Sequence, residues 1–230
     1  DAQTSSIVGP NVVNKALPYV GGGMVLTSIG VLGGLTLQQS SIYGPLFFIA
    51  IIAQLVLFFV ASNAANNANN SKALPLLATY SLLTGFTLSG IIAYAAVAIG
   101  VGSIATAALA TGITFIIASY TGQRMSDNVG QALSGVVGLG LIGLVIAMVV
   151  QLVGSLFSPA FGMGGFELLI AGFGTVLFVA MSFVDFYTMP RRYNDDQYLA
   201  GALGMYLTYI NLFVFILRLM IALQGGGRRN

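Results

Sequence analysis

Seven apolar stretches, each about long enough to cross a lipid bilayer, fill most of the chain and leave only short polar gaps. A hydrocarbon core of about 30 Å needs about 20 helical residues to span it. Inside lipid every backbone polar group must be bonded within the protein, so such stretches have to be helices. The sequence therefore predicts an all-α, multi-pass membrane protein built as a seven-helix bundle.

The predicted spans use up almost all of the 230 residues. They cover residues 16–37, 44–62, 76–97, 103–120, 132–157, 168–188 and 199–223. Because little chain is left over, residues 1–230 are predicted to form a single transmembrane domain. Residues that break helices mark the gaps. Gly44-Pro45 opens the second span, and the later gaps contain the Asn-rich run 63–70, the glycines Gly100 and Gly102, and Pro190.

Basic residues are shared unevenly between the two sets of loops, which predicts the orientation of the chain. Cytoplasmic loops of membrane proteins carry an excess of Lys and Arg. We therefore expect a cytoplasmic N-terminus and an external C-terminal tail. With that orientation the cytoplasmic side holds Lys15, Lys72, Arg124, Arg191 and Arg192, and the external side holds only Arg228 and Arg229.

The composition excludes several kinds of chemistry. The chain has no His and no Cys, which removes the usual zinc, copper and haem ligands, thiol nucleophiles and Ser-His-Asp triads. No enzymatic activity, cofactor or metal site is therefore expected. The net charge of +2 is explained by membrane topology and gives no argument for nucleic acid as a partner.

Spans six and seven each carry polar residues along one helical face. Ser182 and Asp185 share a face of span six, and Thr208, Asn211 and Arg218 share a face of span seven. Two interpretations stay open. Either these residues serve helix packing, with Arg218 snorkelling to the outer surface, or they line a polar seam or gate inside the bundle. A carboxyl at the depth of Asp185 must reach water, find a partner or take up a proton.

Further polar residues lie inside or at the ends of other spans. Glu167, at the outer start of span six, is expected at the depth of Arg218 and is a candidate partner for an outer ion pair. Thr84 and Thr87 occupy neighbouring positions on one face of span three, where their hydroxyls either bond back to the preceding turn or join the seam. The remaining uncharged polar residues at depth, which are candidates for hydrogen bonds across helices, are Gln54 and Gln151.

Span five contains a run of glycines, Gly138-Leu-Gly140-Leu-Ile-Gly143, with the spacing of a dinucleotide-binding fingerprint. That fingerprint needs a preceding strand and a helix dipole aimed at a pyrophosphate. Here the glycines lie within an apolar run, where small residues let helices approach closely. We therefore expect them to serve helix packing.

Two segments form longer patterns. One runs from Ser182-Phe-Val-Asp185-Phe-Tyr-Thr-Met through Tyr198-Leu-Ala-Gly-Ala-Leu-Gly-Met-Tyr206-Leu-Thr208-Tyr-Ile-Asn211 to Leu217-Arg218-Leu, and the other is Thr84-Gly-Phe-Thr87-Leu-Ser89 in span three. Together with the helix count, these segments resemble the Bax inhibitor-1 family over nearly the whole chain. The C-terminal pattern is the more specific of the two. The resemblance implies a seven-transmembrane-helix bundle of the Bax inhibitor-1 type.

The resemblance also implies which residues to compare. The pH-responsive members of the family look like calcium leak channels closed by two aspartates, one on helix six and one on helix seven. Asp185 occupies the first position, but Thr208 falls at the second, so the carboxylate pair is incomplete. Some of those members also carry a Glu in helix two, near the position that Gln54 occupies here.

A hydroxyl residue at the helix-seven position is more similar to the YccA-like bacterial branch of the family. Members of that branch associate with an AAA-type membrane protease and temper its activity. This resemblance implies a non-enzymatic interaction partner or modulator in membrane protein quality control or stress response, in a bacterial inner membrane or an internal membrane. Two alternatives stay open, namely a calcium or proton leak through the bundle and an accessory structural subunit of a larger membrane complex.

Overall fold

All seven predicted spans are helices in the structure, a computed structural model that describes residues 6–158 and 165–226. Each helix is long and apolar enough to cross a membrane, and no strand occurs within the described ranges. The prediction of an all-α, seven-helix membrane protein is confirmed. The helices are α1 (Val12–Leu37), α2 (Tyr43–Asn66), α3 (Asn70–Ala98), α4 (Val101–Gly122), α5 (Asp127–Phe157), α6 (Gly165–Arg192) and α7 (Tyr198–Gly226).

Most helices are longer than the apolar runs that predicted them. For example, α3 begins at Asn70, although its apolar run begins near residue 76. Apolar composition marks the part of a helix that lies in hydrocarbon, whereas the helix itself ends where the backbone turns. Such turns occur at Ala68, with φ of 54°, and at Gly100, with φ of 83°.

Pro190 lies inside α6, so its interpretation as a residue beyond the end of this helix is wrong. A proline lacks the backbone N–H and disturbs the turn before it, but α6 continues for only two residues after it. The carbonyl oxygen of Pro190 accepts hydrogen bonds from the backbone N–H groups of Val8, at 2.8 Å, and Gly9, at 3.0 Å. The proline therefore helps to fix the segment that leads into α1.

The chain divides into two compact units. The α1–α3 unit consists of Ser6–Tyr94 and Met189–Tyr206, and the α4–α6 unit consists of Ala95–Thr188 and the chain from Leu207 onward. The long helices α6 and α7 each contribute to both units. The single-domain assignment made from the sequence stays a prediction.

The α1–α3 unit is built on a close crossing of α1 and α3. A Cβ atom added at Gly85 of α3 would overlap the carbonyl oxygen of Thr27, and one added at Gly30 of α1 would overlap the carbonyl oxygen of Leu82. The two helix backbones are therefore in direct contact. Small residues permit this approach, which favours van der Waals packing between membrane helices.

The α4–α6 unit packs α4 and α7 against α6. A Cβ atom at Gly122 of α4 would lie 2.7 Å from the carbonyl oxygen of Phe183, and one at Gly174 of α6 would overlap the ring of Phe215 in α7. The rings of Phe178 and Phe215 stack with centroids 5.4 Å apart. These contacts hold one face of α6 against α7 along this unit.

The glycines of α5 pack less than the sequence suggests. A Cβ atom at Gly140 would meet the side chain of Leu177 in α6. One at Gly138 or Gly143 would have no neighbouring atom within 4 Å among the described residues. The expectation of helix packing therefore holds for one glycine of the three. The other two lie on faces of α5 that no neighbouring helix of the described structure covers. The regular spacing of the glycines therefore does not bring each of them into a helix contact.

Candidate functional site

Asp185 and Thr208 meet between α6 and α7. The Thr208 side chain supplies a hydrogen bond to the Asp185 carboxyl. The other carboxyl oxygen, Oδ2, is buried and has no hydrogen-bond partner within the described ranges. Thr208 itself is buried. The contact thus joins one carboxyl to one hydroxyl, a pair that can hydrogen-bond or hold a proton but supplies only one acidic group.

The two neighbouring members of the expected seam bond to their own helices. The Ser182 hydroxyl donates to the carbonyl oxygen of Phe178, at 2.9 Å. The Asn211 amide donates to the carbonyl oxygen of Leu207, also at 2.9 Å. Such bonds to the preceding turn satisfy a polar side chain without a second helix. Such bonds are expected if Ser182 and Asn211 serve helix packing and do not line a polar seam.

A second polar group, which we call the arginine cluster, consists of Gln151, Glu167 and Arg218. Arg218 pairs with Glu167 through Nε–Oε1 and Nη2–Oε2, both at 2.8 Å. Nη2 also donates to Oε1 of Gln151, at 3.2 Å, and the Gln151 amide donates to Glu167. The structure therefore contains the ion pair expected from depth along the helices, with a glutamine from α5 bonded to both partners.

The arginine cluster lies at one end of its helices. At the other end, the Tyr187 hydroxyl of α6 donates to the Asp127 carboxylate of α5, at 3.1 Å. Tyr187 follows Glu167 by 20 residues, or about 30 Å at 1.5 Å per helical residue. This length matches the thickness of a hydrocarbon core, about 30 Å. The separation is therefore long enough for the charged pair to lie near one membrane boundary, where ionised side chains are tolerated.

Thr84 and Thr87 belong to a third group, the threonine cluster, which they form with Gln54 in the α1–α3 unit. The Gln54 amide donates to the Thr84 hydroxyl, at 2.7 Å, and the Thr87 hydroxyl donates to the Gln54 carbonyl, at 3.1 Å. Both threonines also bond to the preceding turn. Each of the two interpretations made for these hydroxyls therefore describes part of their bonding.

Sequence reasoning missed a hydroxyl contact deep in the α1–α3 unit. The side chains of Thr27 in α1 and Tyr206 in α7 are hydrogen-bonded. The carbonyl oxygens of Gly23, at 2.8 Å, and Ser81, at 3.1 Å, share the single hydrogen of the Thr27 hydroxyl. Both residues are buried. A tyrosine in an apolar helix indicates a hydrogen bond, since a buried phenol needs a partner. The sequence does not reveal which residue that partner is.

A contact outside the membrane spans was also missed. Asp195, between α6 and α7, accepts the backbone N–H of Asn11, at 2.9 Å, and its side-chain amide, at 3.0 Å. The side-chain bond from Asn11 is the main cause that lowers the pKa of the Asp195 carboxyl, and the charge of Lys15 adds to it. The Lys15 ammonium donates to the Asp195 carbonyl, at 3.1 Å. This contact ties the start of α1 to the loop before α7.

Comparison with known proteins identifies the family. The family model described as "Inhibitor of apoptosis-promoting Bax1" matches residues 9–225. The chain belongs to the Bax inhibitor-1 family. The match covers the C-terminal pattern, the third-span pattern and both ends of the helix bundle, so membership rests on far more than the two segments that resembled the family.

Bacterial relatives support the same assignment. A Streptococcus pyogenes protein described as an uncharacterized membrane protein is 33% identical over 181 residues, which cover 76% of this chain and 73% of the relative. A Borreliella burgdorferi protein is 30% identical over 193 residues, covering 80% and 76%. A Helicobacter pylori protein is 28% identical over 210 residues, covering 90% and 85%. This member of the Bax inhibitor-1 family is thus similar to proteins from several bacteria, one of them described as a membrane protein.

Proposed function

We propose that this Bax inhibitor-1 family protein is a non-enzymatic modulator of another membrane protein, acting in membrane quality control or stress response. An AAA-type membrane protease is the candidate partner. The observation that carries the proposal is the contact of Asp185 with the hydroxyl of Thr208. A latch made of two carboxylates depends on a proton shared between like charges, and this contact has only one carboxyl.

A protein that acts by binding another membrane protein needs an exposed helix surface and no catalytic group. The exposed apolar faces of its helices offer such a surface. In α2 and α5, the most apolar windows are only 11% buried inside the protein, against 39% in α6. Apolar helix faces of this kind contact lipid or a partner helix within the bilayer. The exposed faces of α2 and α5 support the proposal, because a partner helix in the bilayer can pack on them.

The proposed location is a bacterial inner membrane, with the N-terminus in the cytoplasm. The excess of Lys and Arg in one set of loops supports this orientation. Because the chain has no Cys, single cysteines at the exposed positions Asn66 and Ser40 report it directly. An impermeant thiol reagent added to intact cells should label position 40 and leave position 66 unlabelled. Labelling of position 66 alone would reverse the orientation.

Co-purification and a degradation assay test the proposed role. The protein, expressed in a bacterium and purified in mild detergent, should carry an AAA-type membrane protease with it. In vesicles containing that protease, added protein should slow the degradation of a membrane substrate, while degradation of a soluble substrate serves as the control. Absence of the protease from the purified material, together with an unchanged degradation rate, would contradict the proposal.

A calcium or proton leak is the second candidate, because Oδ2 of Asp185 is buried without a partner in the described structure. Flux into reconstituted vesicles separates the two functions. The interaction role expects no flux from the parent protein, from Asp185→Asn or from Thr208→Asp. If the bundle does leak, the parent's flux should depend weakly on pH, and Thr208→Asp should add a pH response, since two carboxyls in contact share a proton. A steep pH dependence in the parent, abolished by Asp185→Asn, would favour the leak.

A further inference from the structure

Arg218 has hydrogen-bond donors that the arginine cluster does not use. A guanidinium group carries five N–H donors, and Arg218 directs one from Nε and two from Nη2 to Glu167 and Gln151. The two N–H groups of Nη1 have no hydrogen-bond partner in the part of the chain that the structure describes. Donors at a membrane boundary take an acceptor from water or from a lipid head group, because an unsatisfied polar group is unfavourable.

A cleft of about 560 Å³ opens beside Arg218, between α5 and α7. Its polar lining is Gln151, Ser155 and Arg218. Its apolar wall is one face of α5, formed by Val145, Met148, Val149 and Leu152. These four residues follow helical spacing and have relative exposures of 39% to 68%, so the wall is a continuous apolar surface outside the protein core.

The cleft has a polar end and an apolar end along the membrane normal. Gln151 and Arg218 mark the end at the membrane boundary. Val145 precedes Gln151 by six residues, which is about 9 Å deeper along α5 at 1.5 Å per residue. The order of polar and apolar groups is therefore that of a phospholipid, with the head group at the boundary and the acyl chain running inward.

We propose that this cleft binds one phospholipid, whose phosphate accepts hydrogen bonds from Nη1 of Arg218 and whose acyl chain lies on the α5 wall. Guanidinium N–H groups form strong hydrogen bonds with phosphate oxygens. The Phe215 ring lies 5.2 Å from the guanidinium carbon and helps to hold its orientation. The ion pair with Glu167 holds Nε and Nη2 on the opposite edge of the guanidinium group, so the direction of Nη1 is fixed.

The charge of the cluster predicts the selectivity of this site. Glu167 neutralises Arg218, so the cleft has little net positive charge to attract strongly anionic lipids. Binding depends instead on the hydrogen-bond donors of Nη1, which any phosphodiester satisfies. Phosphatidylethanolamine and phosphatidylglycerol should therefore bind about equally, whereas diacylglycerol, which lacks the phosphate, should not bind.

Intact-protein mass spectrometry of the detergent-purified protein tests the site. Titration with phosphatidylethanolamine should give a single lipid adduct, and diacylglycerol should give none. Inorganic phosphate has the same head-group chemistry without the acyl chain and should not compete at millimolar concentration. Equal adducts with diacylglycerol, or displacement of the lipid by inorganic phosphate, would overturn the proposal.

Two variants assign the adduct to this cleft. Val149→Trp fills the space beside the wall and leaves the ion pair intact, and Arg218→Lys keeps the charge but removes the planar group that carries Nη1. Each should weaken lipid binding by at least about tenfold. Val136→Trp is the matched control, since Val136 is equally apolar and is exposed on the same helix outside the cleft. Unchanged binding in Val149→Trp, or an equal loss in Val136→Trp, would show that the lipid lies elsewhere.

Discussion

The arginine cluster and the threonine cluster solve the same problem, the placement of polar side chains in a bilayer, in different ways. The arginine cluster is charged and lies near the ends of its helices. The threonine cluster is neutral and lies in the middle of its own, with Gln54 as the twelfth of 24 residues in α2 and Thr84 as the fifteenth of 29 in α3. Charge is found at the boundary, and neutral hydrogen bonding at mid-depth.

The difference follows from how the free energy of a polar group varies with depth. An ionised side chain near the bilayer centre is unfavourable by about 3 kcal/mol on insertion scales, and less near the interface. A hydroxyl or amide that finds partners within the protein avoids most of that penalty at any depth. Asp185 departs from this pattern. It lies only seven residues before the end of α6, but one of its carboxyl oxygens is buried without a hydrogen-bond partner among the described residues.

The largest loss of stability is expected from breaking the ion pair of Glu167 and Arg218. Glu167→Gln keeps the shape of the side chain and leaves Arg218 without its countercharge. We expect a loss of about 3 kcal/mol in the free energy of unfolding, at the low end of the range for buried pairs, because 17% and 20% of the two side chains are exposed. Reversible unfolding in mixed detergent and dodecyl sulfate micelles measures this loss.

The double variant Glu167→Gln with Arg218→Gln provides the control. It removes both charges together, so it should be more stable than Glu167→Gln alone. If Glu167→Gln, Arg218→Gln and the double variant all lose the same free energy of unfolding, the pair stabilises the protein through its shape and not through its charge. The contrast between a charged and a neutral cluster would then be wrong.

The sequence located the charged pair better than it located the neutral cluster, for a physical reason. Charged residues are so rare in the spans that Glu167 and Arg218 had few alternatives, and depth along two helices was enough to match them. Hydroxyl residues are common in membrane helices and bond readily to their own backbone. The bonds of Gln54 to Thr84 and Thr87 therefore depended on helix rotation and packing, which hydropathy does not contain.

The same limit explains the helix ends and the missed contacts. Hydropathy found all seven helices, but not the polar turns that extend them, such as the start of α3 at Asn70. The contact of Asp195 with Asn11 joins residues 184 positions apart. Its local sequence contains nothing that distinguishes it from an ordinary polar loop, so only the folded chain reveals it.

The next largest effect is expected at the glycine within the threonine cluster. Gly85 lies between Thr84 and Thr87, and a Cβ there would overlap the Thr27 carbonyl. Gly85→Ala should therefore push α1 and α3 apart and lower the free energy of unfolding by about 2 kcal/mol, as for overpacking in a core. The same micelle unfolding experiment measures it.

Gly138→Ala is the matched control, since it is a glycine on a membrane helix with open space around its Cβ position. It should leave the stability unchanged or raise it slightly, because alanine favours helix more than glycine does. Equal losses in the two variants would show that the neutral cluster does not depend on the close approach of α1 and α3.

A smaller effect is expected from removing the amide of the threonine cluster. Gln54→Leu deletes both cross-helix hydrogen bonds and leaves an apolar side chain of similar size. Because Thr84 and Thr87 keep their bonds to the preceding turn, the loss should be about 1 kcal/mol, from two bonds of about 0.6 kcal/mol each, the average in membrane proteins. A loss as large as that of Glu167→Gln would mean that neutral and charged clusters stabilise the protein equally, whatever their depth.

The smallest effect is expected for an acid outside the bilayer, at Asp195. Its pKa is lowered from 3.8 in the folded protein, chiefly by the side-chain hydrogen bond from Asn11. A lowered folded pKa adds stability above the ordinary pKa and loses it as the pH falls through the lowered value. Asp195→Asn should therefore destabilise the protein slightly at pH 6. The difference from the parent should shrink as the pH falls below about 4 and vanish only below the lowered pKa.

Asp196→Asn is the control for this variant, since the described hydrogen bonds of Asp196 use its backbone. It should leave the free energy of unfolding at pH 6 as in the parent. A difference between the parent and Asp195→Asn that grows as the pH falls would reverse the sign and contradict the assignment of Asn11 as its stabilising partner. Water around Asp195 screens its charge, so the effect on the free energy of unfolding is small. What an ionised side chain contributes to the stability of this protein therefore depends on its depth as well as on its charge.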